Sequence, residues 1–294
     1  MISIVITTYN SGNFIKECLE SIFSQDFKNY EIIIVDNNSK DNTKEILRDY
    51  HGIALIENET NSGFSKAYNQ GINKAKGSYI LCLNHDITLT KGFLAQIRQA
   101  ITLNDKIGAI QPKVLNISGD KIDTAGIHLS FLRRFYDIGA GKQNQDKFNR
   151  CRYIFGACAA AALYRKQALD SIKQNEQYFD QDFFCLVEDV DLSWRLKKKK
   201  WRTLYFPAAA CLHNRGISQK KDRFSQYLNM KNRYLMLLKN ESFSGLFNLF
   251  IAFFVYDLWR NLFMLLTNTK YCVKAYYEIA KLSSKIIKNK IISN

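Results

Sequence analysis

Prolines, histidines and paired cysteines are scarce in this chain. Its 294 residues include two prolines and four histidines, and none of the seven cysteines stands in a C-x-x-C pair. So few prolines leave no rigid linker between domains. An odd number of scattered cysteines argues against a disulfide framework, and we expect reduced thiols in a cytosolic protein. Residues 1–6 have no basic flank, so we interpret them as a buried strand rather than a secretory signal.

Glycine-rich phosphate loops are also missing from the sequence. No G-x-G-x-x-G follows the first apolar run, which removes the main support for a dinucleotide-binding protein. A sugar nucleotidyltransferase would usually carry a glycine-rich loop with Arg or Lys at this point, and Ser11-Gly12-Asn13 is a poor substitute. This class stays an alternative because it shares a nucleotide-binding sheet and acidic metal ligands.

Acidic residues become rare towards the C-terminus. The net charge is +15; residues 195–294 hold 20 basic and 4 acidic residues, whereas residues 1–194 hold 22 basic and 23 acidic ones. The basic part should bind a polyanion such as membrane phosphates, nucleic acid or a pyrophosphate substrate. A basic nucleic-acid-binding protein is therefore a second alternative, although the lysine run at 197–200 equally complements a helix dipole. We expect an anionic membrane surface as the partner and no nucleic acid.

Apolar runs alternate with helical segments through the first 111 residues. Runs that are apolar throughout and separated by helices indicate a parallel sheet covered on both faces. We therefore predict an α/β fold with a mostly parallel, Rossmann-like nucleotide-binding sheet and flanking helices. The predicted strands are 2–8, 30–35, 53–56, 79–83 and 107–111, and the predicted helices are 14–23, 41–50, 64–75 and 91–103.

Polar residues stand at the ends of three predicted strands. In such sheets ligands bind beyond the carboxyl ends of the strands. Asp36 is placed to accept hydrogen bonds from a base or a ribose hydroxyl, or to cap the following helix. Asp86 suits a divalent cation that also holds a diphosphate. The three ends contain Thr8, Tyr9, Asn10, Asp36, Asn38, Asn84, His85 and Asp86.

Three carboxylates crowd one helical turn, at Glu188, Asp189 and Asp191. Such a cluster repels itself and persists most easily where a cation or a proton transfer uses it. On a helix, Glu188 and Asp191 share a face, and Asp189 lies about 100° from Glu188. We expect one carboxylate to act as a base in a cleft while the others cap the helix or hold Arg195. A solvated acidic helix start is the alternative. The predicted supporting residues are Glu188, Asp191, Trp194 and Arg195.

His213 ends a further apolar, strand-like run at 208–214. A lone histidine is usually a satisfied core or surface group, and it becomes a plausible metal ligand only together with Asp86. Residues 116–150 are rich in polar residues and glycine, and we interpret them as an irregular excursion or mobile loop. The regular pattern resumes at 153–164.

The last fifty residues change character. Residues 242–256 carry no charge, and apolar residues continue to 266 around Asp257 and Arg260, which are spaced to pair. Because the uncharged run is shorter than the roughly 18–20 residues of a spanning helix, an interfacial or re-entrant hairpin, a protein-buried helix and a true span all remain open. The following lysine stripe is typical of a helix on an anionic leaflet, or of a solvated face. Its lysines are Lys270, Lys274, Lys281, Lys285 and Lys288, opposite Tyr271, Cys272, Ile279, Leu282 and Ile286.

Several spaced motifs, spread over about residues 2–240, resemble the family 2 glycosyltransferases. The subgroup that they resemble most is the rhamnosyltransferase-like and galactofuranosyltransferase-like enzymes of bacterial surface polysaccharide synthesis. The motifs are Ser3-Ile4-Val5-Ile6-Thr7-Thr8-Tyr9-Asn10, Glu31-Ile32-Ile33-Ile34-Val35-Asp36-Asn37-Asn38-Ser39, Asn61-Ser62-Gly63-Phe64, Asp182-Phe183-Phe184, Glu188-Asp189-Val190-Asp191-Leu192-Ser193-Trp194-Arg195, and His213.

The resemblance implies a glycosyltransferase A-type fold and a role for each motif. It implies that Asp36 contacts the nucleotide, that Asp86 and His213 bind Mg²⁺ or Mn²⁺, and that Asp189 is the catalytic base. His85 departs from the family, which has a proline or an acid there. The residues expected to bind the donor are Thr8, Tyr9, Asn10, Asp36, Asn38, Asn61, Gly63, Phe64, Lys66 and Asn84, with Lys66 either reaching a phosphate or solvated.

The implied reaction is inverting transfer from a dTDP- or UDP-linked sugar, rhamnose-like or hexose, to a saccharide acceptor. The acceptor is expected to be lipid-linked, on a polyprenyl pyrophosphate, with the protein held peripherally at the cytoplasmic face of the membrane. The predicted catalytic domain is 1–240, with a nucleotide-sugar-binding half at 1–115 and an acceptor-binding half at 116–240. The predicted basic, apolar helical tail is 241–294.

Overall fold

The computed structural model describes residues 1–215, 222–242 and 245–292. The strands are β1 Ile2–Thr8, β2 Tyr30–Asp36, β3 Ile53–Glu57, β4 Tyr79–Asn84, β5 Ile87–Leu89, β6 Ile107–Asn116, β7 Ile122–Thr124, β8 Ile127–Leu129, β9 Phe135–Asp137, β10 Arg152–Ile154, β11 Ala161–Arg165 and β12 Arg202–His213. The helices are α1 Ile15–Phe23, α2 Thr43–Arg48, α3 Phe64–Lys74, α4 Phe93–Ile101, α5 Lys166–Asp170, α6 Glu188–Lys198, α7 Arg223–Asn240, α8 Leu246–Ala252, α9 Leu258–Thr267 and α10 Thr269–Ile292.

Strands β1 to β4 form the parallel part of the main sheet, in the order β3-β2-β1-β4. Every residue of β1 is buried, because side chains alternate between two cores. Ile4 packs into the core that includes Leu19 of α1 and Leu94 of α4, whereas Val5 packs into the core that includes Tyr68 of α3. The predicted parallel α/β sheet is confirmed, and the predicted bounds of β1–β4 and α1–α4 agree within two residues.

The sheet continues past β4 with mixed directions. Strand β11 lies between β4 and β6 and is antiparallel to both, β12 runs parallel to β6, and β10 forms the edge. The fifth predicted strand extends to Asn116, because β12 pairs with it along that whole length. Strands from both predicted halves share this sheet, so the division at residue 115 stays a prediction about function.

The interpretation of residues 116–150 as irregular is wrong in part. Strands β7, β8 and β9 lie within this range; β7 pairs with β6, and β8 pairs with β9. Each has three residues, which is too short to show an alternating pattern. The run predicted at 153–164 divides into β10 and β11, with a turn between them.

The tail packs on the rest of the protein through one face. Within the described residues, one helical stretch, Phe247–Thr267, is long and apolar enough to cross a membrane by length and composition, and 22% of its most apolar part is buried. A π-helical turn, Phe253–Asp257, joins α8 to α9. So little burial argues against a protein-buried helix. Helix α10 packs along α7, and its predicted apolar side includes the buried Cys272 and Ile286. The side chains of Lys285 and Lys288 lie outside the described residues.

Candidate active site

The two-residue turn between β4 and β5 carries Asp86 to the end of β12, where His213 lies. His213 Nε2 is 3.2 Å from Asp86 Oδ1, and His213 Nδ1 is 2.8 Å from Asp123 Oδ2. Burial opposes the charge of this imidazole, but hydrogen bonds to Asp123 and Asp86 outweigh burial and raise the pKa of His213 to about 9. The structure therefore brings together the two predicted metal ligands, with a third carboxylate behind them.

Sequence reasoning missed three residues of this cluster, Asp123, Asp137 and Arg215. Asp123 Oδ1 lies 2.7 Å from Arg215 Nε, and the other carboxylate oxygen of Asp123, Oδ2, is the one that lies 2.8 Å from His213 Nδ1. Asp137 lies at the end of β9, and burial raises the pKa of its carboxyl. Both aspartates belong to the segment that the sequence pattern indicates as irregular, so no periodicity pointed to them. The only sequence signal for this cluster was Arg215, a cation two residues after His213 that needs a carboxylate partner.

His85, the departure from the family pattern, turns into the protein. Its Nδ1 lies 3.3 Å from the carbonyl oxygen of Thr7, and its ring centroid is 6.3 Å from that of Phe14. Burial lowers the pKa of His85. Strand β5 pairs with β12 directly after this turn, at Ile87 and His213. The turn therefore keeps Asp86 facing His213 without a proline.

Asp36 is fully buried at the end of β2. Its carboxylate accepts hydrogen bonds from Thr8 Oγ1 at 2.9 Å, Ser39 N at 2.9 Å and Ser39 Oγ at 2.5 Å. These bonds tie the polar end of β1 to the loop after β2, so Asp36 positions the edge where the donor is expected. Contact between Asp36 and a base or ribose stays a prediction.

Two asparagines with left-handed backbone shape the same edge. Asn10 has φ 53° and Asn38 has φ 66°, a conformation that asparagine adopts more readily than most residues. Ser39 Oγ accepts a hydrogen bond from Asn10 N at 2.9 Å, and Asn38 Nδ2 donates to the carbonyl of Glu59 at 2.6 Å. Tyr9 is 47% exposed beside them. These residues form an accessible rim at the ends of β1 and β2.

Gly63 packs closely against the loop that precedes α6. Its φ is +85°, and a Cβ added there would lie 2.5 Å from the ring of Phe184 and 2.7 Å from its carbonyl oxygen. Asn61 Oδ1 accepts a hydrogen bond from Gly63 N at 3.0 Å. The ring of Phe64 lies 4.3 Å from that of Tyr68, so Phe64 contributes to core packing. Lys66 is exposed on α3.

Asp189 lies in the first turn of α6, beside the turn between β10 and β11. Its Oδ2 accepts a hydrogen bond from Ala159 N at 3.3 Å, and Ala160 O accepts one from Asn84 N at 2.8 Å. The same short turn thus contacts Asp189 on one side and Asn84, two residues before Asp86, on the other. Burial and the nearby Asp137 carboxylate raise the pKa of Asp189 to about 6.

Glu188, Asp191 and Arg195 are all buried beside Asp189. Asp191 Oδ2 lies 2.8 Å from Arg195 Nε, and its other oxygen accepts a hydrogen bond from Asn240 Nδ2 at 2.6 Å. Burial and the charge of Asp189 raise the pKa of Glu188 well above its usual range. Trp194 is also buried and packs edge-on against Phe155, with ring centroids 6.2 Å apart. The acidic cluster therefore separates into Asp189 at the site and Asp191 in a structural ion pair.

The loop before α6 has an unusual backbone. Phe184, Leu186 and Val187 all have positive φ, at 64°, 69° and 72°. A β-branched residue in this region is strained, and such strain persists only where the surroundings impose it. Asn232 of α7 supplies that restraint, because its Nδ2 lies 2.7–2.9 Å from the carbonyl oxygens of Phe183, Cys185 and Leu186. Asn232 thereby fixes where α6 begins, and no pattern in the sequence pointed to its role.

The residues fit a divalent cation at Asp86 and His213. A carboxylate oxygen and an imidazole nitrogen are ligands that suit Mn²⁺. The Asp123 carboxylate contacts Nδ1 of His213, so that Nε2 of His213 faces Asp86; histidines that bind metals commonly have such a carboxylate on the other ring nitrogen. Among the described residues no group of three His, Cys, Asp or Glu side chains is placed to hold a metal by itself. A cation here would therefore also need oxygen ligands from the diphosphate of a donor.

Comparison with known proteins agrees with this fold. Residues 3–173 match the family described as Glycosyl transferase family 2. A poly-beta-1,6-N-acetyl-D-glucosamine synthase of Staphylococcus epidermidis is 30% identical over 217 residues, which is 71% of this chain and 49% of the relative. The corresponding synthase of Staphylococcus aureus strain MSSA476 is 27% identical over the same shares. The chain thus spans about half the length of these curated relatives.

Solved structures show the same glycosyltransferase A-like fold. Residues 1–349 of Staphylococcus aureus TarS align with a TM-score of 0.61 at 17% identity, covering 95% of this chain and 79% of that one. A mannosyltransferase of Pyrobaculum calidifontis, solved with GDP-Man and Mn²⁺, aligns with a TM-score of 0.58 at 13% identity, covering 99% of this chain and 79% of that one. The family match covers more than half of the chain. The chain belongs to the family 2 glycosyltransferases.

Proposed function

We propose that this protein is an inverting glycosyltransferase that moves a sugar from a nucleotide-sugar to a saccharide acceptor. The observation that carries the proposal is the turn at 158–160, which contacts Asp189 on one side and the strand end before Asp86 on the other. A half-buried carboxylate of raised pKa thus lies near a candidate cation site, as transfer from a diphosphate donor requires.

In this reaction Asp189 accepts the proton of the acceptor hydroxyl. The hydroxyl oxygen forms a bond to the anomeric carbon from one face, while the bond from that carbon to the diphosphate breaks on the other. The nucleoside diphosphate leaves with the electron pair. Positioned base catalysis of this kind contributes about 10²–10⁴-fold to the rate. The hydrogen bonds from Ala159 N and Val190 N hold the carboxylate of Asp189 in place.

Asp86 and His213 are the residues that would hold Mg²⁺ or Mn²⁺. A cation there supplies positive charge next to the departing diphosphate. Asp123 would keep the His213 ring oriented, because it occupies Nδ1 at 2.8 Å. The presence of Mn²⁺ in the mannosyltransferase structure supports this assignment.

We propose a UDP-linked hexose or N-acetylhexosamine as the donor. The support is indirect: structures of TarS contain UDP or UDP-GlcNAc, and the curated relatives are named as synthases of an N-acetylglucosamine polymer. A rhamnosyl or galactofuranosyl transfer, a dTDP-linked donor and a role in O-antigen synthesis stay predictions of the sequence resemblance. A donor panel decides between them.

The acceptor is proposed to be lipid-linked, because the tail offers a membrane-binding surface. We define the apolar face of the tail as the exposed side of Phe247–Thr267; Phe247, Phe250, Val255, Trp259, Phe263 and Leu266 are 59–83% exposed there. Its opposite side, including Ala252, Asp257 and Met264, is buried against the protein. Exposed Lys270, Lys274 and Lys281 follow on α10. An apolar face beside lysines suits insertion into an anionic leaflet, and the buried side argues for an interfacial helix rather than a span.

The test is a panel of UDP- and dTDP-sugars with Mg²⁺ or Mn²⁺, scored for release of nucleoside diphosphate. We expect release from a UDP-sugar that depends on Asp189 and on the cation. Release of inorganic pyrophosphate instead would support the nucleotidyltransferase alternative. A salt-dependent gel shift with no turnover of any donor would support the nucleic-acid-binding alternative.

A further inference from the structure

A cavity of about 790 Å³ lies apart from the candidate active site, along the β8–β9 hairpin and β10. Neither Asp189 nor Asp86 lines it. We call it the basic groove, and its lining is His128, Leu129, Tyr136, Ile138, Gly139, Lys142, Lys147, Phe148, Arg152, Tyr153, Ile154, Phe155 and Lys197. The proposed reaction gives no role to most of these residues.

Positive charge dominates the basic groove. Lys142, Lys147, Arg152 and Lys197 are all exposed. No Asp or Glu occurs among the described residues that line it. Four cations in a concave surface without an acid attract an anionic ligand.

Aromatic rings supply the second component of the basic groove. The rings of His128 and Tyr136 lie 4.9 Å apart, and Tyr136 and Tyr153 are each about half exposed. Lys197 Nζ lies 5.5 Å from the centre of the Phe155 ring. Accessible ring faces offer packing to the C–H faces of sugar rings, while the cations between them bind charged substituents. Together these features fit a sugar chain that carries negative groups.

The groove is connected to Asp189 by one chain segment. Residues 155–159 run alongside α6: Phe155 contacts Trp194, a Cβ on Gly156 would meet the Ser193 side chain at 2.2 Å, and Ala159 N donates to Asp189. Lys197, at the groove, is eight residues beyond Asp189 on the same helix. At 1.5 Å per residue this is about 12 Å along the helix axis. A saccharide of a few units spans that distance.

We infer that the basic groove binds an anionic, carboxylate- or phosphate-bearing segment of the acceptor glycan, while the end to be extended lies at Asp189. This inference rests on the proposed function and names its acceptor class. Single-stranded nucleic acid also stacks on rings and pairs with cations. The glycan is favoured because the groove leads to a candidate base for sugar transfer.

The test is a binding titration of the full chain with a fluorescently labelled oligogalacturonate, a sugar chain with one carboxylate per unit. A neutral chito-oligosaccharide of equal length and an oligothymidylate are the comparison probes. The variant is Lys142→Glu with Lys147→Glu, and the matched control is Lys74→Glu with Lys91→Glu, two exposed lysines outside the groove. We expect the groove variant to weaken oligogalacturonate binding about tenfold or more and the control to change it less than about twofold.

Three outcomes would overturn the inference: equal losses in both double variants, neutral sugar bound as tightly as the anionic one, or oligothymidylate bound more tightly through the same lysines. UDP release by the unaltered chain is measured in parallel. If UDP is released but the groove variant binds oligogalacturonate normally, the groove assignment alone fails. If the groove variant loses binding but no donor is ever cleaved, the groove binds an anionic glycan, but the proposed function fails, and with it the assignment of that glycan as an acceptor.

Discussion

Arg233 of α7 and Asp257 of the tail form a buried, two-point ion pair, with Nε–Oδ1 at 2.5 Å and Nη2–Oδ2 at 2.9 Å. Arg233 also donates to the carbonyl of Arg133, in the β8–β9 hairpin, at 2.6 Å. One guanidinium therefore joins the tail, α7 and the hairpin. The sequence spacing suggested a pair between Asp257 and Arg260, and the structure places Asp257 on Arg233 instead.

Removing one partner of this pair should destabilise the protein strongly. Asp257→Ala leaves a buried guanidinium without its counter-charge, and we expect the free energy of unfolding to fall by about 3–5 kcal/mol. The measurement is urea denaturation. Replacing both partners, with Arg233→Met and Asp257→Leu, should cost less than the single change, because no charge is left buried. A loss below about 0.5 kcal/mol in Asp257→Ala would mean that the pair is not buried in solution.

The apolar face of the tail should govern binding to lipid. Trp259→Glu with Leu266→Glu places two charges on side chains that are 65% and 83% exposed. We expect binding to anionic vesicles, measured by sedimentation, to weaken about a hundredfold or more, since each lost side chain contributes about 1.5–3 kcal/mol of apolar burial. The control is Leu103→Glu, a 60% exposed leucine that follows α4. Equal vesicle binding by wild type and the double variant would contradict the proposed membrane surface.

Asp189→Asn should lower kcat by about 10²–10⁴-fold and leave the donor KM nearly unchanged, because the amide cannot accept the acceptor proton. Its neighbour supplies the matched control. Glu188→Gln resembles the protonated carboxyl that the raised pKa favours, so we expect a much smaller loss. Nucleoside diphosphate release measures both. The reverse ranking of the two variants would assign the base to Glu188.

The pH profile should follow Asp189. A base acts when deprotonated, and its pKa is raised to about 6, so kcat/KM should rise as the pH passes 6. Because the pKa of Asp189 is higher in the folded protein than its ordinary value of 3.8, ionisation of Asp189 destabilises the fold. The contribution of Asp189 to the free energy of unfolding therefore falls as the pH rises from 3.8 towards 6. Asp137→Asn removes a nearby negative charge and should move the acid limb to lower pH. Asp105→Asn, at an exposed position, is the control and should leave the acid limb of the pH profile unchanged. An unchanged acid limb in Asp137→Asn would show that the charge of Asp137 does not affect the pKa of Asp189.

Asp123→Asn should weaken Mn²⁺ binding about 10–100-fold, because the carboxylate that orients His213 is lost while both predicted ligands remain. Calorimetric titration with Mn²⁺ in the presence of UDP measures the effect. The control is Asp120→Asn, three residues earlier, where the carboxylate of Asp120 accepts a hydrogen bond from Asn116 Nδ2 instead of contacting His213. If Asp123→Asn binds Mn²⁺ with wild-type affinity, Asp123 does not contribute to the metal site.

Local pattern was sufficient for the first half of the fold. Strand β1 has four apolar residues among its first five, and all seven of its residues are buried, so its sequence alone identifies it. The three-residue strands β7, β8 and β9 are too short for any periodicity, and their pairing depends on partners far along the chain. Asp123 could not be predicted for the same reason, since its only mark is proximity to His213, 90 residues later.

The sequence by itself determined the parallel sheet, the family, the candidate base Asp189 and the candidate ligands Asp86 and His213, because continuous apolar runs and spaced motifs are local signals. Only the tertiary structure decided which charges meet. It placed Asp123 behind His213, Asn240 on Asp191, and Asp257 on Arg233. Those contacts join segments that are distant in sequence. Each contact stabilises the fold because a charge removed from water is stable only beside its partner.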